Sequence, residues 1–165
     1  MKKHPNILFF GIDSLRSDHM SLYGYKRLTT PHIDAFIEDG GITFDKMYSP
    51  SIPTTPGYAS MLTGMDCFST DCVALRHEGG LTEAVRTMPE ILRDYGYTST
   101  YIGGHSCRGC DNYITYPDWN PDKAEEMNKV AIPELERLAA QDKPWALFLR
   151  HMDPHSPYYT KEPFT

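Results

Sequence analysis

No stretch of this 165-residue chain approaches the ~20 consecutive apolar residues that a helix needs to cross a bilayer, so no membrane-spanning helix is expected. A secretory leader is not expected either. Lys2 and Lys3 precede an apolar run, but that run extends only from Ile7 to Ile12 and meets Asp13 with no small-residue cleavage site, short of the ~7–15 residues such leaders use. The expected location is cytoplasmic. Basic charge is scarce, with 16 Lys and Arg against 22 Asp and Glu and a net charge of -6. That balance gives no general attraction to nucleic acid or to an anionic membrane, so neither is expected as a partner, and an anionic substrate must be held by a metal or by local dipoles. Four cysteines, Cys67, Cys72, Cys107 and Cys110, are too few to scaffold a chain of this length. Internal repeats and low-complexity tracts are also lacking.

The chain does have material for a core: 40% of its residues are hydrophobic, 12% aromatic and 23% charged, within a length that suits one domain. Asn6 to Ile12 reads as a strand covered on both faces in a parallel sheet. The polar stretch that follows, DSLRSDHMSLYGYKRL, is too long for a tight turn and is the type of loop in which sites are found. Thr30-Pro31 offers an N-cap with proline at the first helical position, and Gly40-Gly41 a stop, which predicts a helix over Pro31 to Asp39. Ile42 to Tyr48 predicts a strand. Ser49 to Pro56 carries three prolines and predicts an irregular or extended segment. Thr55-Pro56 repeats the cap-plus-proline pattern, so a helix is expected through GYASMLTG to near Gly64, with loop over residues 65–80. Thr87 to Tyr95 predicts a helix stopped at Gly96, then a strand from Tyr97 to Ile102. Pro121 to Ala140 predicts a surface helix kinked or broken at Pro133, and Trp145 to Leu149 a buried strand leading into RHMDPHSPYY. Strands separated by helices predict an α/β domain with a mostly parallel sheet and ligands beyond the carboxyl ends of its strands.

Three loops can carry chemistry. Asp13 leaves an apolar strand directly, which suits a hard divalent cation; a loop-capping carboxylate is the alternative. In SPSIPTTPGYASMLTG, Thr54 and Thr55 lie at the positive end of a helix, where an anion gains ~0.3–1 kcal/mol. A threonine hydroxyl there is either a cap or a nucleophile activated by a base or metal. Finally, His151, Asp153 and His155 follow a strand closely enough to ligate a metal or touch substrate oxygens; a turn with solvated histidines is equally consistent with the spacing.

The blocks DSLRSDH, TTPHID, ASMLTG and DPHSPY, in this order between about residue 5 and residue 159, resemble the amino-terminal part of the sulfatase family, within the alkaline phosphatase superfamily. The resemblance implies an α/β/α sandwich and a metal-dependent hydrolase of sulfate or phosphate esters, with Asp13 as a metal ligand. The nucleophile position, usually the cysteine of CxPxR that becomes formylglycine, falls on Thr54, which would also meet the metal. Pro56 matches the motif's proline and Tyr58 stands where arginine is usual. His155 matches a histidine that faces the leaving ester. The GKWH segment corresponds to Gly103-Gly104-His105-Ser106, without its lysine, and Ser14 replaces a frequent second aspartate. Tyr58, His105 and Arg16 are carried forward as candidate substrate-binding residues.

These departures have chemical consequences. Oxidising threonine would give a ketone, so no formylglycine is expected. A threonine ester has no carbon–oxygen cleavage route for expelling sulfate, and must be hydrolysed or transferred by attack at phosphorus or sulfur. The expectation is therefore a small-molecule sulfate, phosphate or phosphonate ester as substrate, with phosphoryl chemistry favoured, and a divalent metal drawn from calcium, magnesium, manganese or zinc. The alternative is a catalytically silent anion- or metal-binding fragment or pseudoenzyme, since Ser14, Tyr58 and Gly104 all replace functional residue types. In the family the remaining metal ligands, an Asp-His pair in a DHG-type motif, follow the DPHSPY block, so residues 1–165 are expected to be the amino-terminal portion of a longer catalytic domain. Arg16 and Asp18 are expected to pair locally. The four cysteines are expected to be reduced thiols, a four-thiolate zinc site being the weaker alternative. His19, His32 and His77 follow no site pattern.

Overall fold

The computed structural model describes residues 4–75, 80–104, 107–115 and 123–158. Four strands, β1 (Ile7–Ile12), β2 (Thr98–Ile102), β3 (Asn112–Ile114) and β4 (Trp145–His151), form one parallel sheet in the order β1-β4-β2-β3. The helices are α1 (Pro31–Glu38), α2 (Thr54–Thr63), α3 (Cys67–Thr70), α4 (Met88–Asp94) and α5 (Lys123–Ala139).

Strand β4 is buried at all seven positions, and its alternating side chains organise two cores. Trp145, Leu147 and Leu149 point to the face covered by Met127, Ala131 and Leu138 of α5. Ala146 and Phe148 point the other way, where they join Tyr97, Tyr101, Leu62 of α2, and Met88 and Leu92 of α4. Helices on both faces of a parallel sheet make the α/β/α arrangement expected from the alternation of elements.

The chain divides into two compact units, Met1–Asp13 with Pro50–Thr165, and Ser14–Ser49. The first holds the sheet. Within the second, two short 3-10 turns, Ser17–His19 and Ser21–Tyr23, precede α1. Thr30 occupies the N-cap position of α1 but does not cap through its side chain; its hydroxyl and that of Ser21 donate instead to Asp34, at 2.7 and 2.6 Å.

Several sequence expectations need correction. Strand β1 ends one side of the sheet among the described residues, and Leu8 and Phe10 are half exposed, so it is not covered on both faces. Ile42 to Tyr48 is not a strand: its residues are exposed and make no ladder, so the apolar alternation has no sheet neighbour to satisfy. Residues 65–75 are not all loop, because Asp66 accepts from the backbone N–H of Phe68 and Ser69 at 2.9 Å and caps the short helix α3. Helix α5 runs through Pro133 without a break; Pro121 itself lies outside the described residues. Strand β4 continues two residues past Leu149, and β3 carries too little apolar pattern to have been visible.

The cysteines also depart from expectation. Cys107 and Cys110 form a disulfide, whereas Cys67 and Cys72 are free, which removes the four-thiolate zinc site. The bridged loop is held by Thr87, whose hydroxyl donates to the Arg108 carbonyl at 2.8 Å, and by Arg93, which donates to the Gly109 carbonyl at 2.6 Å. Arg108 in turn donates to the carbonyls of Leu81, Thr82 and Val85.

Thr87 is fully buried and forms a reciprocal capping box with Glu90 at the start of α4. Thr87→Ala should therefore cost about 1–2 kcal/mol in urea unfolding, by removing a cap and a tie to the disulfide loop together. Partial burial works against ionisation of Asp111, but hydrogen bonds from the Ser99 N–H and hydroxyl, with Arg93 beside it, hold its pKa below the ordinary carboxylate value. A depressed folded-state pKa gives stability that is present above the unfolded value and lost as pH falls through the folded one. Urea midpoints measured downward from about pH 4 should fall less for Asp111→Asn than for the unchanged chain.

Candidate active site

The carboxyl ends of β1 and β4 bring the site together. On β1 the side chains of Ile7 and Phe9 pack against the α2 and α4 core, and the same alternation puts Gly11 and then Asp13 on that face. On β4, Ala146 and Phe148 are followed on this face by Arg150. The backbone N–H of Asp13 donates to the His151 carbonyl at 2.8 Å, extending the ladder by one residue. Arg150 then reaches across: its Nη2 and Nε donate to the same oxygen, Oδ2 of Asp13, at 2.5 and 3.2 Å. The side chains are 3% and 9% exposed, so this ion pair is shielded from water. Burial works to lower the pKa of Arg150, but Asp13 and the neighbouring Tyr58 and Tyr101 raise it above its usual value. Directly after this pair the backbone at Ser14 takes φ 61, the left-handed region that a serine rarely occupies.

Helix α2 supplies the opposite wall. It starts at Thr54, with Pro53 in the N-cap position and no side-chain cap, rather than at Pro56 with Thr55 as cap. Ser51, buried, holds the preceding segment through its hydroxyl, which accepts from the Ser60 hydroxyl at 3.2 Å and the Cys67 N–H at 3.1 Å. The two threonines differ in use. Thr55 donates its hydroxyl to the Leu75 carbonyl at 2.5 Å, while the Thr54 hydroxyl makes no hydrogen bond among the described residues. One turn later and on the same helical face, the Tyr58 ring lies under the Arg150 guanidinium, 5.1 Å from ring centroid to Cζ. Its phenol oxygen lies 2.9 Å from the position a Cβ on Gly11 would take, closer than such contacts normally come, so the glycine lets Tyr58 approach β1.

The third loop separates. His151 points to the α5 face, stacked on Phe10 at 4.5 Å between ring centroids, with its Nδ1 3.7 Å from Asp153. Asp153 accepts from the Ala124 N–H near the start of α5 at 3.1 Å. His155 turns back locally: its Nδ1 donates to the Ser156 carbonyl at 2.7 Å. Thus His151, Asp153 and His155 do not converge on one ligand, because β4 continues to His151 and turns its side chain to the opposite sheet face from Arg150. Among the described residues no three His, Cys, Asp or Glu side chains are grouped to hold a metal.

In the second unit Arg16 donates to both carboxylate oxygens of Asp18, at 2.9 and 2.6 Å, in an exposed pair that His19 joins at 2.9 Å. His105, with Ser106 and His77, lies outside the described residues. Sequence reasoning missed Arg150. The available signal was its parity with Ala146 and Phe148 at the end of a buried strand, where a cation requires a partner and the next strand ends in Asp13.

The sequence model of the sulfatase family matches residues 5–165. The chain belongs to the sulfatase family. A curated relative, the ulvan-active sulfatase of Formosa agariphila, is 24% identical over 166 residues, which cover 98% of this chain and 32% of that protein. The phosphonate monoester hydrolase of Agrobacterium radiobacter superposes with a TM-score of 0.80 at 20% identity, over 97% of this chain and 43% of that one. The periplasmic domain of EptC from Escherichia coli, solved in complex with zinc, gives 0.72 at 19% identity, over 98% and 48% respectively. This sulfatase-family chain thus spans about a third of the curated relative and under half of either solved structure. The solved structures share the alkaline-phosphatase-like fold.

At Gly11 the structure leaves little room. In Gly11→Ala the new methyl would meet the Tyr58 hydroxyl at 2.9 Å and the Leu149 carbonyl at 3.3 Å, so the flexible phenol yields before the strand does. The expected outcome is a loss of about 1–3 kcal/mol in urea unfolding, much of it recovered when Tyr58→Phe is added.

Proposed function

We propose that this chain carries the nucleophile half of an ester hydrolase acting on small sulfate, phosphate or phosphonate esters, with Thr54 as nucleophile and phosphoryl transfer favoured. The supporting observation is the contrast between neighbouring hydroxyls: Thr55 is committed to Leu75, whereas Thr54, at the first position of a helix without a side-chain cap, has no such commitment among the described residues. First-turn N–H groups at that helix end favour the extra negative charge that accumulates on the equatorial oxygens as the ester reacts.

In the proposed reaction Thr54 Oγ1 gives its proton to water and attacks phosphorus or sulfur in line with the departing alkoxide. A Thr54–ester bond forms as the substrate's bond to its organic portion breaks. His155, protonated for this step, gives the alkoxide its proton, and water then hydrolyses the threonine ester. A carboxylate oxygen is a suitable donor for a divalent cation, and the guanidinium on Asp13 marks a place where positive charge is stabilised. Asp13 and the Thr54 hydroxyl would hold such an ion, other ligands coming from outside the described residues; when bound, it would lower the hydroxyl's pKa. The substrates named for relatives, ulvan and phosphonate monoesters, support the ester class and leave the organic portion open.

A non-hydrolytic anion-binding domain is the second reading, favoured by the closure of Asp13 by Arg150. The two are separated by turnover of nitrophenyl phosphate, phosphonate and sulfate by the protein that contains this chain. Thr54→Ala should lower kcat/KM on the preferred ester by at least ~10³-fold. Unchanged turnover in that variant would remove Thr54 as nucleophile, and no turnover of any ester by the unaltered protein would favour the binding domain.

A further inference from the structure

The two free cysteines take no part in the proposed reaction, yet the fold sets them side by side. Cys67 opens the short helix α3, and Cys72 follows its end. Between them Asp71 adopts the left-handed region, at φ 58 and ψ 24, and turns the chain back on itself. The Cys67 carbonyl therefore accepts from the N–H of Asp71 and also from the N–H of Cys72, the latter at 3.1 Å. With ordinary backbone bond lengths, this hydrogen bond keeps the two Cα atoms within about 7 Å of each other even if every bond lay in line, and the bent path of the turn brings them nearer. Side chains at the two ends of such a turn commonly pack together. A disulfide spans Cα separations of ~4.4–6.8 Å. The two thiols differ in access: Cys67 is half-buried, whereas Cys72 is buried. Burial pushes the Cys72 thiol up, and the neighbouring Asp71 and Cys67 push in the same direction. The Cys67 N–H donates to the Ser51 hydroxyl, which also accepts from Ser60 of α2, so the pair adjoins the segment that leads into Thr54.

We propose that Cys67 and Cys72 are a reversible dithiol, which a low-molecular-weight disulfide such as oxidised glutathione converts into a second bridge. The Cys67 thiolate attacks one sulfur of oxidised glutathione. That sulfur–sulfur bond breaks, and the first glutathione leaves and takes up the proton that Cys67 gave away. Cys72 then gives up its proton and attacks the Cys67 sulfur of the mixed disulfide. The Cys67–Cys72 bond forms as the second glutathione leaves and takes up that proton. Two protein thiols are thus oxidised by two electrons, and one disulfide is reduced to two thiols. Access sets the order: a solute reaches the half-buried Cys67 first, and the buried Cys72 meets only the sulfur held beside it. The bridge fastens the peptide that holds Ser51, and it forms whether or not Thr54 carries ester chemistry.

The test is a disulfide map of the protein that contains this chain. The folded protein is exposed to oxidised glutathione, its remaining thiols are blocked with iodoacetamide in denaturant, and it is digested without reduction for mass spectrometry. Cys67 and Cys72 should be recovered linked to each other, at least about tenfold more often than Cys67 is recovered linked to glutathione, because attack by Cys72 is intramolecular. Excess reduced glutathione should return both to the alkylated form. In Cys72→Ser, Cys67 should stop at the glutathione adduct; in Cys67→Ser, Cys72 should remain a free thiol. Recovery of the unaltered protein with Cys67 as the glutathione adduct and Cys72 free would overturn the proposal. So would survival of both thiols, or a bridge from either one to a different cysteine. If a serine variant fails to fold by circular dichroism, the map of the unaltered protein decides alone.

Discussion

A carboxylate and a guanidinium, each more than nine-tenths buried, close the carboxyl ends of β1 and β4. The pair depends on strand parity and in turn determines what surrounds it. Asp13 faces the α2 side because Phe9 and Gly11 do, and Arg150 does so because Ala146 and Phe148 do. Gly11 must then lack a Cβ so that Tyr58 can approach the guanidinium from α2. Breaking a buried pair by removing one partner costs several kcal/mol, since the survivor is left charged and without its counter-ion. The site is thus tied to the two strands that share the longest ladder in the sheet.

Much of the fold was legible in the sequence. Apolar runs located β1, β2 and β4, and proline and glycine punctuation located α1 and α4, because these signals act within a few residues of chain. What could not be read locally was partnership. Ile42 to Tyr48 has the alternation of a strand, but alternation alone supplies no neighbour to hydrogen-bond with. Strand β3 is the converse: three residues with little apolar character become a strand because Tyr101 and its neighbours offer an edge. Pro133 sits within α5 at a position where sequence logic placed a kink or break, yet the apolar face of α5 on β4 holds the helix unbroken.

The candidate site shows the same division. The motif blocks pointed to Asp13, Thr54, Tyr58 and His155. The structure separates the two threonines by the partner each hydroxyl has, and joins Asp13 and Tyr58 through Arg150. It divides His151 from His155 by one strand-end turn. Arg150 was overlooked because a cation at the end of a buried strand acquires meaning only when the adjacent strand is known, and the β1–β4 pairing joins segments at opposite ends of the chain.

The disulfide loop bears on the economy of the chain. Strands β2 and β3 are parallel neighbours, yet the connection between them, residues 103–111, is shorter than the dozen or more residues that such a crossover normally takes, usually as a helix. The Asp111 contacts to Ser99 fasten this tether near the amino end of β2, at the opposite end of the sheet from Asp13 and Arg150, while the bridged Cys107 and Cys110 pack on the core cluster of Leu62, Tyr101 and Phe148. Slackening the tether by reduction would therefore release the short edge strand first. Because Cys107 and Cys110 pack on the cluster that also takes Leu62 of α2, the state of the bridge bears on the packing of that helix as well as on the edge strand.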